Sequence, residues 1–181
     1  SGQIEVTMTP FAHPILPLLV NSDLAKIAIP DIDLGGVSYI YGADAVEQVR
    51  LGVELYQDHF ERAPRGMWPA EGSVAQNIVT MVSQAGIQWV ASDEGVLANS
   101  LGFPSFTRDA QDVVTQPDQL YRPYYVEGVR GDPVAIVFRD RIISDLVGFI
   151  YCLSKFNRID RFQNVINCRK LKCLDSKFFV S

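Results

Sequence analysis

The stretch that decides the fold is GMWPAEGSV, residues 66–74, in which a short apolar run is followed by a single carboxylate. Pro69 cannot donate to a sheet ladder, so it predicts the end of a strand. Ser73, with Gln76 three residues later, predicts a capping box and the start of a helix. Glu71 therefore stands where a strand leads into a helix, the unit from which parallel α/β folds are built.

Apolar spacing extends this alternation along the chain. Period-two or continuous apolar runs predict strands at residues 3–9, 87–92 and 134–140, and steps of three and four predict helices at 43–63 and 74–85. Gly86 is placed to end the second helix. A short helix is expected after residue 93, a long loop over 104–124, and a helix or apolar segment over 143–153. The order predicts an α/β fold with parallel strands.

Composition is that of an ordinary globular protein, with 181 residues, 48% of them hydrophobic and 20% charged. This length is enough to bury the core of one domain. The longest apolar stretch, residues 11–20, is short and interrupted by proline, so no membrane span is expected. No signal peptide is visible and the chain opens on Ser1, which leaves the compartment unknown.

The charge balance changes near residue 151. Residues 1–150 carry nine basic and nineteen acidic residues, whereas residues 152–181 are basic and hold all three cysteines. Three interpretations stay open: an aberrant or non-native end, a natural helical segment, or a tail that binds nucleic acid. The cysteine spacing indicates neither a zinc site nor a disulfide framework.

Charged and polar residues follow the predicted strands at one kind of place. His13 follows the first strand, Glu71 and Asp93 follow the next two, and Arg139 and Asp140 close another. The carboxyl ends of parallel strands open on one face, where active sites are built. The spacing is therefore compatible with a site at that face, and equally with strands that simply end in polar residues.

Each candidate also has a purely structural interpretation. Glu71 could be an acid placed at a helix N-terminus, where the macrodipole favours the ionised form. Trp68 could be a core aromatic or a stacking platform for a sugar ring. His13 could be a loop histidine or a partner for a sugar hydroxyl. Asp93 with Glu94 could cap a helix, and Arg139 with Asp140 could form a mutual ion pair.

Four blocks in order resemble glycoside hydrolase family 57, on its amylopullulanase and α-amylase side. The resemblance runs from about residue 2 to residue 151 and is carried by QIEVTMTPFAHPILPLL (3–19), APRGMWPAEGSV (63–74), AGIQWVASDEGVLANS (85–100) and VFRDRIISDLVGFIY (137–151). The resemblance implies an incomplete, seven-stranded (β/α) barrel that acts on α-glucans with retention of configuration.

By this resemblance Glu71 is the catalytic nucleophile. The positions that match the lining of the glycone site are His13, Trp68, Asp93, Glu94, Arg139 and Asp140. The family's acid/base is an aspartate in a DGEN-like block, which this sequence does not contain, and the early HQP block is also missing. Asp93 aligns with a different motif and does not replace the acid/base.

Retention requires two carboxyl groups about 5–5.5 Å apart, one attacking the anomeric carbon and one protonating the leaving oxygen. The matched blocks supply only the nucleophile, so we expect this chain alone to be inactive. We expect residues 1–151 to form a partial barrel domain, followed by a basic, cysteine-containing tail at 152–181.

The expected partner is an α-glucan or maltooligosaccharide, with no cofactor, no metal, no nucleic acid and no membrane. Two other function classes are weighed against this. A metal-dependent polysaccharide deacetylase needs clustered His and Asp ligands, and the chain has only His13 and His59. A non-catalytic carbohydrate-binding domain would keep the aromatic lining without turnover, although Trp89 fits a core position better.

Overall fold

The computed structural model describes residues 4–147, and the chain divides into two compact units. The sheet unit comprises Val6–Ser92 and Tyr124–Ile136. The second unit, called the cluster unit below, takes its described residues from Ser1–Glu5, Asp93–Pro123 and Val137–Ser181. Our expectations for residues 152–181 lie outside the described residues.

The sheet unit contains most of the regular structure. Its helices are α1 (Leu16–Val20), α2 (Ala25–Ala28), α3 (Gly42–Phe60) and α4 (Gln76–Gln84), with 3₁₀ turns at Ser22–Leu24 and Ala70–Gly72. The strands are β1 (Gly66–Met67), β2 (Trp89–Asp93), β3 (Tyr124–Val126) and β4 (Val134–Arg139). The last residue of β2 and residues 137–139 of β4 belong to the cluster unit. The helices of the cluster unit are α5 (Glu94–Leu101), α6 (Pro117–Leu120) and α7 (Arg141–Asp145).

Within the described residues the sheet has four strands in the order β1-β2-β4-β3. β1 and β2 pair in parallel, with Met67 opposite Val90, while β3 and β4 pair antiparallel. Met8 lies beside Met67 in a parallel bridge and exchanges backbone hydrogen bonds with residues 66 and 68. The predicted α/β class with mostly parallel strands is confirmed, and the incomplete seven-stranded barrel implied by the resemblance stays a proposal.

The core of the sheet unit includes one face of α3, which contacts α1 and α4 and lies close to the segment at Met8. This helix was predicted over 43–63 and observed over Gly42–Phe60, with a left-handed residue, Glu61, at its C-cap. Its buried positions are Ala45, Val49, Gly52 and Tyr56. Val46 and Phe60, which the spacing assigned to the buried face, are exposed. The buried stripe is thus rotated from the predicted one because the close approach of the Met8 segment at Gly52 fixes which face turns inward.

Helix α4 begins later than the sequence predicts. Ser73 is the C-cap of the 3₁₀ turn, and α4 starts at Gln76 behind Ala75, which makes no side-chain capping bond. The capping box was therefore wrong, because the Ser73 N–H is already bonded to the Ala70 carbonyl. The predicted stop was right, since Gly86 lies in the left-handed region (φ 82°) just after the helix.

Some of the other strand, helix and loop predictions are confirmed, and others differ from the structure. β2, α5 and β4 appear where the apolar runs predicted them. Of the strand predicted at residues 3–9, the described residues 4–9 form a single bridge at Met8. The loop predicted over 104–124 contains α6, a bridge between Arg108 and Val114, and the first residue of β3. The segment predicted over 143–153 begins within α7, and its residues beyond 147 lie outside the described part of the chain.

Candidate active site

Glu71 sits at a strained position in the 3₁₀ turn that follows β1. Its backbone has φ 57° and ψ 18°, in the left-handed region, while Ala70 and Gly72 on either side are buried. A side chain in this region costs roughly 1–2 kcal/mol, so the surrounding structure must hold it there. The Glu71 side chain itself is 73% exposed. The turn therefore presents one solvent-accessible carboxylate on a backbone that is packed on both sides.

The turn is held by hydrogen bonds that are local in part and long-range in part. The N–H groups of Gly72 and Ser73 donate to the carbonyls of Pro69 and Ala70. The buried hydroxyl of Ser92, at the end of β2, donates to the Gly72 carbonyl at 2.6 Å. Gly72 also adopts a positive φ of 63°, which glycine accepts without strain. β2 thus fixes the turn that carries Glu71.

The helix-terminus explanation for Glu71 is wrong. Helix α4 begins only at Gln76, after an extended stretch from Ser73 to Ala75. The influence of a helix macrodipole falls off within the first turn, so Glu71 lies too far before α4 to benefit from it. The Glu71 carboxylate lies instead beside a histidine ring.

His13 lies against Glu71, with its Nε2 atom 3.8 Å from Oε1 of the carboxylate. Its backbone is also left-handed (φ 57°), in a turn closed by the bond from the His13 N–H to the Pro10 carbonyl. The other ring nitrogen, Nδ1, lies 2.8 Å from the Thr9 hydroxyl. Thr9, His13 and Glu71 form what we call the Glu71 corner, and the sequence singled out the last two.

Trp68 continues β1 by one residue beyond the strand. Its N–H donates to the Met8 carbonyl at 2.8 Å, and its side chain is half-buried. A ring that is partly covered leaves both interpretations of Trp68 open, as a packing residue and as a sugar platform. Trp89 lies across Gly66, where a Cβ atom would come within 2.2 Å of the indole. That close approach supports the assignment of Trp89 to packing.

Asp93 and Arg139 meet in the cluster unit. One carboxylate oxygen of Asp93 accepts the Gly95 N–H at 2.8 Å and caps α5, as the capping interpretation predicted. The other accepts from Nε of Arg139 at 2.9 Å. This ion pair is partly exposed. The sequence proposed a pair between Arg139 and Asp140, whereas the guanidinium contacts Asp93.

Glu94 and Asp140 are buried and share one arginine. Arg108 contacts Glu94 at 2.6 Å and Asp140 at 3.1 Å, and all three side chains are at most 14% exposed. The Tyr121 hydroxyl donates to Asp140 at 2.6 Å, and the Arg141 N–H donates to Glu94 at 3.1 Å. These contacts satisfy carboxylates that would otherwise be costly to bury.

The charges of this cluster follow from its contacts. Burial opposes the charge on Asp140, but hydrogen bonds from the Tyr121 hydroxyl, the Ile143 N–H and the Arg108 guanidinium prevail and lower the pKa of the carboxyl. Burial, together with the hydrogen bond to Asp140, raises the pKa of the Tyr121 phenol. Against its own burial, the two carboxylates raise the pKa of Arg108. These shifts favour an ionised Asp140 and Arg108 beside a neutral Tyr121.

Sequence reasoning missed Thr9, Arg108 and Tyr121. Arg108 lies in the stretch assigned to a loop, 14 residues from Glu94 and 32 from Asp140. No local pattern links such positions. Within residues 4–147, no group of three or more His, Cys, Asp or Glu side chains is arranged to hold a metal ion. Nor does any helix in that range have the length and apolar character needed to cross a bilayer.

Comparisons with known proteins point in one direction. The sequence model of glycosyl hydrolase family 57 matches residues 1–176. A curated relative, Alpha-amylase 1 of Dictyoglomus thermophilum, is 31% identical over 93 residues, which cover 51% of this chain and 10% of the amylase. The chain thus spans about a tenth of that relative's length.

Solved structures resemble the chain in fold. The α-amylase AmyC from Thermotoga maritima matches with a TM-score of 0.50 and 20% identity over 81% of this chain and 21% of AmyC. The 4-alpha-glucanotransferase from Thermococcus litoralis gives a TM-score of 0.49 and 16% identity over 81% of this chain and 18% of the enzyme. The chain corresponds to about a fifth of each solved enzyme.

Proposed function

Since the chain belongs to glycosyl hydrolase family 57, we propose that it is part of a retaining enzyme acting on α-glucans, with Glu71 as the nucleophile. The observation that carries the proposal is the conformation of the turn after β1. A strained backbone, held from both sides, presents an exposed carboxylate with a histidine beside it. Strain of this kind clusters at functional sites.

The proposed reaction begins at the anomeric carbon. A carboxylate oxygen of Glu71 attacks the anomeric carbon. The bond from this carbon to the leaving oxygen breaks, and its electrons stay on the leaving oxygen. A second carboxyl group protonates the leaving oxygen and later activates water to hydrolyse the glycosyl ester. The resemblance implies an aspartate in a DGEN-like block for that role, and the chain contains no such block.

The other residues matched by the resemblance fall into an accessible group and a buried group. His13, Trp68, Asp93 and Arg139 are at least partly accessible, and we assign to them contacts with the sugar. Glu94 and Asp140 are buried against Arg108, so we assign to them the support of their neighbours Asp93 and Arg139. The substrate assignment rests on the family and on the similarity to Alpha-amylase 1 of Dictyoglomus thermophilum.

The wider architecture is also a proposal. A four-stranded, mostly parallel sheet with helices between its strands is compatible with part of an incomplete seven-stranded (β/α) barrel. In such a barrel the turn carrying Glu71 follows the carboxyl end of β1, as active-site loops do.

A mechanism-based reagent tests the nucleophile. In 5-fluoro-α-glucosyl fluoride, fluoride leaves the anomeric carbon with its bond electrons and needs no protonation, so trapping does not depend on the acid/base. We expect the intact protein to gain one fluoroglucosyl group, mapped by peptide mass spectrometry to Glu71. Absence of labelling, or labelling that survives in Glu71→Gln, contradicts the proposal.

The chain offers a matched control for that variant. Glu61 is also an exposed glutamate with a left-handed backbone (φ 54°), at the C-cap of α3. Glu61→Gln should therefore label as the unmodified chain does. Binding of maltoheptaose by calorimetry without any labelling would instead favour a non-catalytic carbohydrate-binding domain.

A further inference from the structure

The Glu71 corner contains a residue to which no sequence motif assigned a role. Thr9 contacts His13, and His13 contacts Glu71, so the threonine hydroxyl reaches the carboxylate through one imidazole ring. The two distances are 2.8 Å from the Thr9 hydroxyl to Nδ1 and 3.8 Å from Nε2 to the Glu71 carboxylate. The first is a hydrogen bond, and the second is longer than one.

Thr9 and His13 belong to one chain segment, which is held by backbone pairing and by packing on α3. Both the N–H and the carbonyl of Met8, next to Thr9, are hydrogen-bonded to the segment that contains β1. The Thr9 carbonyl would lie only 2.8 Å from a Cβ at Gly52, so this segment is packed directly on α3. Gln48 of α3 accepts the Ala12 N–H on its side chain and the Phe11 N–H on its carbonyl. The spacing between the hydroxyl and the imidazole is therefore set by the fold.

The carboxylate of Glu71 decides which atoms donate and which accept in its contact with His13 and in the contact of His13 with Thr9. A neutral imidazole carries one N–H and one bare nitrogen, and the bond made by one nitrogen decides which form is present. An ionised Glu71 only accepts, so Nε2 faces it favourably when it carries the proton. Nδ1 is then bare and must accept, and the Thr9 hydroxyl is the donor at 2.8 Å.

We propose that Thr9 is a positioning residue for the nucleophile: its hydroxyl holds neutral His13 in the tautomer whose Nε2–H faces Glu71. Without that bond the ring can take the other tautomer, which turns a lone pair toward the carboxylate and repels it. The expected effect on catalysis rests on the proposed function, in which Glu71 is the nucleophile. The tautomer itself is measurable without any reaction.

Nuclear magnetic resonance can determine the tautomer, because the chain has only two histidines. Long-range ¹H–¹⁵N spectra at alkaline pH, where imidazoles are neutral, separate the two forms. His59 is an internal reference, since its Nδ1 lies 2.8 Å from the Leu55 carbonyl, which can only accept. We expect His59 to carry its proton on Nδ1 and His13 on Nε2, with a His59→Gln variant providing the assignment.

Variants at Thr9 decide the role of the hydroxyl. Thr9→Val keeps the branched shape without the donor, and we expect it to shift His13 into a mixture of both tautomers. Thr9→Ser keeps the hydroxyl and should preserve the Nε2–H form, and Thr7→Val controls for an added methyl nearby. A His13 with its proton on Nδ1 in the unmodified chain, or an unchanged His13 pattern in Thr9→Val, overturns the proposal.

The effect of Thr9 on the reactivity of Glu71 is measured in the trapping reaction. We expect Thr9→Val to lower the maximal rate of labelling by about tenfold, with little change in the half-saturating reagent concentration. Thr9→Ser should recover most of the rate. No labelling of the unmodified chain would contradict the proposed function and leave the tautomer result standing. Normal labelling and an unchanged tautomer in Thr9→Val would contradict only the role of Thr9.

Discussion

His13 and Glu71 share a backbone conformation that non-glycine residues rarely adopt, and their side chains meet at 3.8 Å. One follows a proline-rich turn after Met8 and the other follows β1, so the two left-handed turns lie at the ends of neighbouring paired segments. Strain at both positions therefore coincides with the one contact that joins them.

The strain at Glu71 predicts a reversed preference between alanine and glycine. Both Glu71→Ala and Glu71→Gly remove the carboxylate, but only glycine accepts φ 57° freely. We expect Glu71→Gly to be more stable than Glu71→Ala by about 1 kcal/mol in the free energy of unfolding by urea.

An exposed helical position provides the control for this comparison. At Gln57 in α3 the order should be the usual one, with alanine more stable than glycine by about 1 kcal/mol. The same order at both positions would mean that Glu71 is not held in the left-handed region.

The hydroxyl of Ser92 should support the turn from a distance. Ser92→Ala leaves the buried Gly72 carbonyl without its donor, which costs roughly 1–3 kcal/mol. We expect a lower urea midpoint and slower labelling of Glu71 by the glucosyl fluoride. Ser100→Ala removes a comparable hydroxyl-to-carbonyl bond at an exposed site and should change neither measurement appreciably.

The shared arginine of the cluster unit should be the costliest side chain to remove. Arg108→Met leaves Glu94 and Asp140 buried without their cation, and loss of one partner of a buried ion pair costs about 3–5 kcal/mol. Arg50→Met is a matched control, because Arg50 also bridges two glutamates, but on the exposed face of α3. It should cost roughly 0–1 kcal/mol in urea unfolding. Equal effects would contradict the structural role given to the buried cluster.

Asp140 should make stability depend on acid pH. Its pKa is lowered in the native state from an ordinary value of 3.8, so the unfolded chain binds the proton more readily. The stabilisation is complete above the ordinary value and is lost as pH falls through the lower native pKa. Asp140→Asn should flatten the fall in unfolding free energy over that acidic range, whereas Asp118→Asn, at an exposed position, should keep it.

The chain alone should not digest unactivated substrate. Soluble starch requires a protonated leaving oxygen, and the matched blocks contain the proposed nucleophile without the acid partner that the resemblance implies. We expect no reducing sugar above background, although the activated fluoride labels Glu71. Sugar release that disappears in Glu71→Gln would show that another residue of this chain serves as the acid.

Local sequence signals determined several elements of this protein. Apolar patterning determined the positions of α3, β2 and β4, because such a pattern marks an element before any partner is known, but it gave the buried face of α3 only in part. Gly86 determined the end of α4, since a left-handed residue there needs no tertiary support. The blocks around Glu71 and His13 also pointed to the family that the whole chain belongs to.

Tertiary structure alone decided what the local signals could not. Ser73 had the sequence of a helix cap, yet its N–H serves the turn that Ser92 holds from another strand. Arg108 carried no motif, because its partners lie 14 and 32 residues away and only the folded chain brings them together. The strained backbone of Glu71 is unfavourable in isolation and exists only because packing on both sides outweighs its cost. Sequence thus determined which residues are available, and long-range contacts decided which of them meet.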